Sequence, residues 1–206
     1  MKHVLILFGF FLAAGAEAQL VEVYAGHERA GTDILWFKNF RNSETRTTPW
    51  LFFNRTRASV DYSNRPLWGA THAVSYNGSS GLGLVGVGLL AANGFTPKAG
   101  LQYFKQKSAF LFFGWLVADL KKQGNIDLFG LFRYQPAIND NWKWLSQVEL
   151  FPVYSPHNGR WNLTQRIRLG AKYQSWGGGW MMDLNQTGKS SFVTTNNVGV
   201  FVRCEF

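Results

Sequence analysis

Arg160 to Gln174 reads RWNLTQRIRLGAKYQ, and taken every second residue it separates into two unlike sets. Trp161, Leu163, Gln165, Ile167, Leu169, Ala171 and Tyr173 form one; Asn162, Thr164, Arg166, Arg168, Gly170, Lys172 and Gln174 form the other. Alternation with period two marks a β-strand with one apolar and one polar face. Two media fit it. In a soluble sheet the apolar set is core and the arginines are solvated, whereas in a membrane barrel the apolar set meets lipid and the arginines point inside. Trp161 and Tyr173 bracket the apolar set, and amphipathic rings at both ends of an apolar band are what two membrane–water interfaces select. The segment therefore reads as a lipid-facing strand, with a soluble periplasmic sandwich or lipocalin-like barrel as the alternative.

Beyond Gln19 no stretch carries a helical period, and turn residues recur at short intervals. Strands are expected at 19–27, 31–40, 48–60, 70–77, 81–91, 97–105, 108–119, 124–134, 142–154, 161–174, 178–186 and 194–206. The expected fold is all-β: a transmembrane antiparallel up-and-down barrel of about twelve strands, or ten if two hairpins are split wrongly. Strands of about ten residues suit a tilted crossing of the hydrocarbon layer. Aromatic content is 17%, with nine tryptophans, while mean hydropathy is only -0.12. That combination arises when every other residue of a membrane strand is polar.

The first eighteen residues differ from the rest. Lys2 and His3 precede an apolar run from Val4 to Ala14, and Ala16-Glu17-Ala18 places small residues where a signal peptidase needs them. Residues 1–18 are expected to be a signal peptide cleaved before Gln19, and residues 19–206 the barrel. A single cysteine, Cys204, excludes an intramolecular disulfide, so the fold itself must supply the stability. The net charge of +9 calls for an anionic partner. Export disfavours nucleic acid and leaves an anionic membrane surface or an anionic lumen content.

The last strand, TNNVGVFVRCEF, sets Val198, Val200, Val202, Cys204 and Phe206 against Gly199, Phe201, Arg203 and Glu205, and ends on an aromatic residue. With the signal peptide and the strand rhythm, it resembles the outer-membrane β-barrel proteins of Gram-negative bacteria. The resemblance implies a bacterial outer-membrane location and a role for Phe206 as the signal read by the barrel-assembly machinery. It covers architecture throughout and carries over no catalytic or ligand residue.

In that orientation the inward set contains Arg55, Arg57, Asp127, Arg133, Glu149, Arg166, Arg168, Lys172, Asp183, Arg203 and Glu205. Unpaired charge in a narrow lumen is costly, so these groups are expected to form a lattice of ion pairs in which cations outnumber carboxylates. With both termini periplasmic, the odd-numbered connections lie outside. Arg29, Arg65, Lys98, Lys121, Lys122, Arg160 and Lys189 would then stand at the level of lipopolysaccharide phosphates.

Three motifs carry further possibilities. Gly81 to Leu90, GLGLVGVGLL, contains a G-x-G-x-x-G, but no helix follows for a pyrophosphate to meet, so its glycines are expected to admit bulky neighbours. Ala109 to Ala118, AFLFFGWLVA, is apolar on both faces and implies a dry lumen wall opposite the arginines, either an interdigitated aromatic core or one side of an amphipathic cavity. His72 and Ser75 have the odd spacing that puts them on opposite faces, leaving Ser146 from another strand as the alternative nucleophile for a lipid acyl hydrolase. His27 and His157 are expected in turns at one end, a weak pointer to a metal. No cofactor, metal site or catalytic residue is assigned. The expected function is a non-enzymatic structural or accessory subunit of an envelope complex, working with outer-membrane lipid, lipopolysaccharide and other outer-membrane proteins or surface lipoproteins. A small anion-preferring pore or lipid-binding barrel is the alternative.

Overall fold

A computed structural model describes residues 19–41, 46–122 and 124–206; the expected signal peptide lies outside the described residues. The strands are β1 (Gln19–Gly26), β2 (Arg29–Arg41), β3 (Thr47–Asp61), β4 (Pro66–Asn77), β5 (Leu82–Ala91), β6 (Gly94–Lys107), β7 (Phe110–Asp119), β8 (Ile126–Tyr134), β9 (Trp142–Ser155), β10 (Arg160–Tyr173), β11 (Trp176–Gly188) and β12 (Phe192–Glu205). Each pairs antiparallel with its sequence neighbour, and β1 closes on β12 through Leu20↔Glu205 to Gly26↔Gly199. The result is a closed up-and-down barrel of twelve strands, which leaves no open sheet edge.

The opening segment is oriented as its aromatics require. Trp161 (40%), Leu169 (44%) and Tyr173 (42%) lie on the outside, whereas Arg168 is 2% exposed inside. The outward surface of the barrel is an apolar band that includes Val148, Leu150, Leu116, Leu128, Val200 and Val202. Aromatic girdles flank it. Trp50 stacks edge-on with Tyr76 and Trp142 packs on Tyr173 near the rim that carries the termini, and Tyr154 packs on Trp161 near the opposite rim. A band of this kind faces hydrocarbon and its girdles face the interfaces, so the fold is a transmembrane β-barrel.

Several strand boundaries move from their expected places, β4 furthest, to a start at Pro66 rather than 70, and two of the moves reposition side chains in the lumen. Gly177-Gly178-Gly179 lies within β11, and the turn is Gln174-Ser175, where Gln174 adopts φ 52. The inward Gly177 is needed for packing, because a Cβ there would meet Leu145 Cδ1 at 3.0 Å and Arg203 Cγ at 3.4 Å. β6 starts at Gly94 rather than Pro97, since Ala92-Asn93 makes a two-residue hairpin and Gly94 takes φ 104. Lys98 is thereby drawn from the expected loop into the barrel wall and points inward, only 5% exposed. The expected display of Lys98 to lipopolysaccharide is corrected accordingly.

Inside, the lumen has two walls. Phe37, Phe53, Phe113, Trp115, Phe129 and Leu131 from β2, β3, β7 and β8 make an apolar one. Phe53 stacks on Phe113 with centroids 4.7 Å apart, and Trp115 lies 5.0 Å from Phe129. This is the dry side expected of AFLFFGWLVA, resolved as an interdigitated aromatic core.

Candidate functional site: the lumen lattice and its two cavities

The opposite wall carries charge, because β1 and β9 to β12 turn their polar alternates inward. Arg203, 1% exposed on β12, donates from Nη2 to Glu22 of β1 at 2.7 Å, and Glu22 also accepts from Arg168 Nε at 2.8 Å. Arg168 Nη1 reaches Asp183 at 2.7 Å, and the other oxygen of Asp183 accepts from Arg57 Nη2 at 2.7 Å. Arg57 approaches Asp33 at 4.0 Å, Asp33 takes a two-point contact from Arg55, and Arg55 Nη1 donates to Glu149 at 2.7 Å. Glu149 also accepts from Arg166 at 3.3 Å. Towards the termini Arg203 lies 3.7 Å from Glu205, which Lys172 contacts and to which Gln135 donates at 3.1 Å. Gln147 ties the middle by accepting from Arg133 and Arg203 and donating to Glu149 at 2.7 Å. A separate cluster joins Lys98 to Asp119 at 2.5 Å and Asp127 at 2.6 Å.

All eleven lumen residues expected from the sequence face inward, and ten belong to the connected lattice while Asp127 belongs to the Lys98 cluster. The expected cation excess shrinks to a single charge. Glu22, Asp33 and Asp119 add three carboxylates and Lys98 one cation, which gives eight cations (Arg55, Arg57, Lys98, Arg133, Arg166, Arg168, Lys172, Arg203) against seven carboxylates (Glu22, Asp33, Asp119, Asp127, Glu149, Asp183, Glu205) among the described residues. Near-neutrality follows from desolvation, since an uncompensated charge in a packed lumen is far more costly than a paired one. Glu22 and Asp33 were readable from strand parity: Leu20, Glu22 and Tyr24 share a face, as do Asp33, Leu35 and Phe37. Both faces of these segments mix polar and apolar residues, so parity becomes decisive only once the barrel fixes which face is inside.

The surplus charge lies at the rims. Arg29, Arg65, Lys121, Lys122, Arg160 and Lys189 all occur at or beside the β1–β2, β3–β4, β7–β8, β9–β10 and β11–β12 connections, at the rim opposite the termini. Lys121 Nζ donates to the Phe95 carbonyl at 3.0 Å, which pins it over the β5–β6 turn. Phe206, 67% exposed, borders the mouth on the terminus side.

The histidines are dispersed. His72 faces outward, bonded to Asn54 Nδ2 at 2.7 Å, while Ser75 is buried in the lumen and accepts from Gln102 at 2.7 Å. Ser146, on β9, donates to the Tyr134 carbonyl of β8, and β5 to β8 separate it from His72. His27 and His157 do share the rim opposite the termini. His72 and Ser75 thus lie on opposite faces, as their odd spacing requires, and Ser146 is not brought to His72. In the glycine-rich β5, the outward Gly88 makes room for the Phe95 ring, 2.9 Å from where its Cβ would be.

Two cavities remain at the ends. One, of about 330 Å³, opens at the rim opposite the termini between the aromatic wall and Arg55, Arg57 and Arg166. The other, of about 270 Å³, lies at the terminus side between Phe37, Leu111, Arg133, Lys172 and Glu205. Between them fully buried side chains fill the lumen, among them Phe53, Phe113, Leu131, Leu145, Met181 and Arg203.

This architecture is that of an outer-membrane β-barrel. No protein family and no curated protein matches the sequence. Among solved structures, a chain described under "Unveiling the Mechanism Behind the in-meso Crystallization of Membrane Proteins" is similar at 12% identity and TM-score 0.45, covering 92% of this chain and 84% of that one. The β domain of the Bordetella autotransporter Brka is similar at 11% identity and TM-score 0.36, covering 94% and 100%.

Proposed function

We propose that the protein is an integral barrel of the bacterial outer membrane, with periplasmic termini, that acts without chemistry of its own as a structural or accessory subunit of an envelope complex. The observation that carries this is the filled lumen: between the two end cavities, packed aromatics and a dense lattice of ion pairs occupy the interior. Connections at the rim opposite the termini are only two to six residues long, too short to build a receptor surface or a gate. What remains for partners is the lipid-facing wall and the cationic rim. Lipopolysaccharide phosphates are the natural counter-charge for Arg29, Arg65, Lys121, Lys122, Arg160 and Lys189.

Purification of the native protein in mild detergent tests the proposal: other outer-membrane barrels or surface lipoproteins are expected to accompany it, and planar bilayers containing it are expected to stay silent. Stable anion-selective current steps would overturn it in favour of a pore.

A further inference from the structure

We propose that the cavity opposite the termini binds a single-chain anionic amphiphile, with its carboxylate or phosphate on Arg57 and Arg166 and its chain along the aromatic wall. The lumen is nearly neutral as a whole, but this surface is not. The cavity is lined by four cationic residues, Arg29, Arg55, Arg57 and Arg166, and a single carboxylate, Asp183. The compensating Asp33 and Glu149 bond these arginines without lining the cavity.

Three buried N–H groups of cavity-lining residues have no hydrogen-bond acceptor: Arg57 Nη1, Arg166 Nε and Trp115 Nε1. Arg57 Nη1 stands 4.0 Å from Asp33 and Arg166 Nε 4.0 Å from Asp183, both beyond hydrogen-bond reach. Buried donors of this kind are rare in folded proteins and costly when left unmet, so an anionic oxygen is the complement they select. Phe53, Phe129 and Phe151 form the facing apolar surface. A cavity of about 330 Å³ with one apolar wall and a few convergent donors has the size and make-up of a small-ligand site. Because it opens at the rim, an amphiphile can enter from the membrane surface.

The site is independent of the accessory-subunit proposal, since binding can fail while the partners still co-purify, and the reverse. The test is calorimetric titration of the intact barrel, in an uncharged maltoside detergent, with dodecanoate, dodecyl phosphate and dodecanol. Either anion is expected to bind at least about tenfold more tightly than the alcohol, the worth of one charge-assisted hydrogen bond. Preference between the anions separates a free fatty acid from a phosphate-headed lipid. Ser59 lines the cavity and is not a member of the charge lattice, so Ser59→Trp should fill the cavity and abolish binding. Trp115→Phe, which keeps a ring and removes one donor, should weaken it. Both variants are checked for the folded form by heat-modifiable gel migration. Dodecanol binding as tightly as dodecanoate, no measurable binding of either anion, or undiminished binding by folded Ser59→Trp would overturn the proposal.

Discussion

At the scale of single residues, the lumen shows how burial turns a charge from a liability into a constraint. Arg203 is 1% exposed, yet its side chain meets three polar or charged partners, Glu22, Gln147 and Glu205, with the Phe201 ring 4.7 Å from its guanidinium carbon. Removing one member of such a pair strands the other, which costs about 3–5 kcal/mol, whereas removing both into apolar groups is close to neutral. Arg203→Met is therefore expected to lower the unfolding midpoint in detergent sharply. Glu22→Leu also takes the shared carboxylate from Arg168, so the double variant is expected to lose less than the sum of the two single losses, with a double-mutant-cycle coupling of about 0.5–3 kcal/mol. Strictly additive losses would mean the pair is incidental. On the other wall, Phe113→Ala, at the centre of five ring contacts, is expected to cost about 3–5 kcal/mol through the cavity it leaves. The sequence displayed these inward arginines plainly, because alternation is strongest where polar and apolar sets are pure. It hid Lys98, since Asn93, Gly94 and Pro97 all look like loop and the hairpin at Ala92-Asn93 was needed to pull the lysine into the wall.

At the scale of the element, β9 and β10 illustrate why strand existence was legible and strand ends were not. Their alternation survives over fourteen residues each, and one apolar face against lipid holds the register, since a slip by one residue would expose every arginine to hydrocarbon. Ends are set by turn geometry, which depends on single φ values such as that of Gln174 and not on hydropathy. Val148 faces outward, paired between Phe132 and Ile167. Val148→Arg is expected to destabilise the barrel by about 2–4 kcal/mol, the cost of an arginine on the lipid face near the midplane. Denaturant titration of protein refolded into vesicles measures this, and a wild-type midpoint would place Val148 away from lipid. Cross-strand Gly170 and Gly179 form a second constraint: a Cβ at Gly170 would run into the Gly178 carbonyl, and one at Gly179 into that of Leu169. Gly170→Ala should therefore force β10 and β11 apart locally, and amide exchange at Met181 and Leu169 is expected to quicken.

At the scale of the whole molecule, charge is partitioned. The interior is nearly neutral, and six cations stand at each rim, counting Lys38, Arg41, Arg46, Lys105, Lys107 and Lys143 on the terminus side. Exposed charges are screened by salt while buried pairs are not. Raising salt is expected to strip bound lipopolysaccharide from the purified barrel while leaving its heat-modifiable migration unchanged. Replacing Lys121, Lys122 and Arg160 with glutamine should mimic that loss at low salt, and full retention by the triple variant would remove the rim from lipid recognition. The net charge in the sequence was legible as a membrane-surface signal. Its division between rim and lumen was not, because Glu22 counts as compensation only when closure brings β1 against β10 and β12, and Asp33 and Asp119 only once Arg55 and Lys98 on the adjacent strands turn inward.

That closure has a built-in test of correctness. The seam is made by the first strand and the last, and its lumen side sets Glu22 opposite Arg203, with Arg168 reaching the same carboxylate from β10. Slide the seam by two residues, which preserves inside and outside, and Arg203 faces Leu20 or Tyr24 while two guanidiniums lose their shared anion. Hydrophobic alternation alone would accept that mispaired cylinder. A single acid near the start of the chain acts as the proofreader that rejects it.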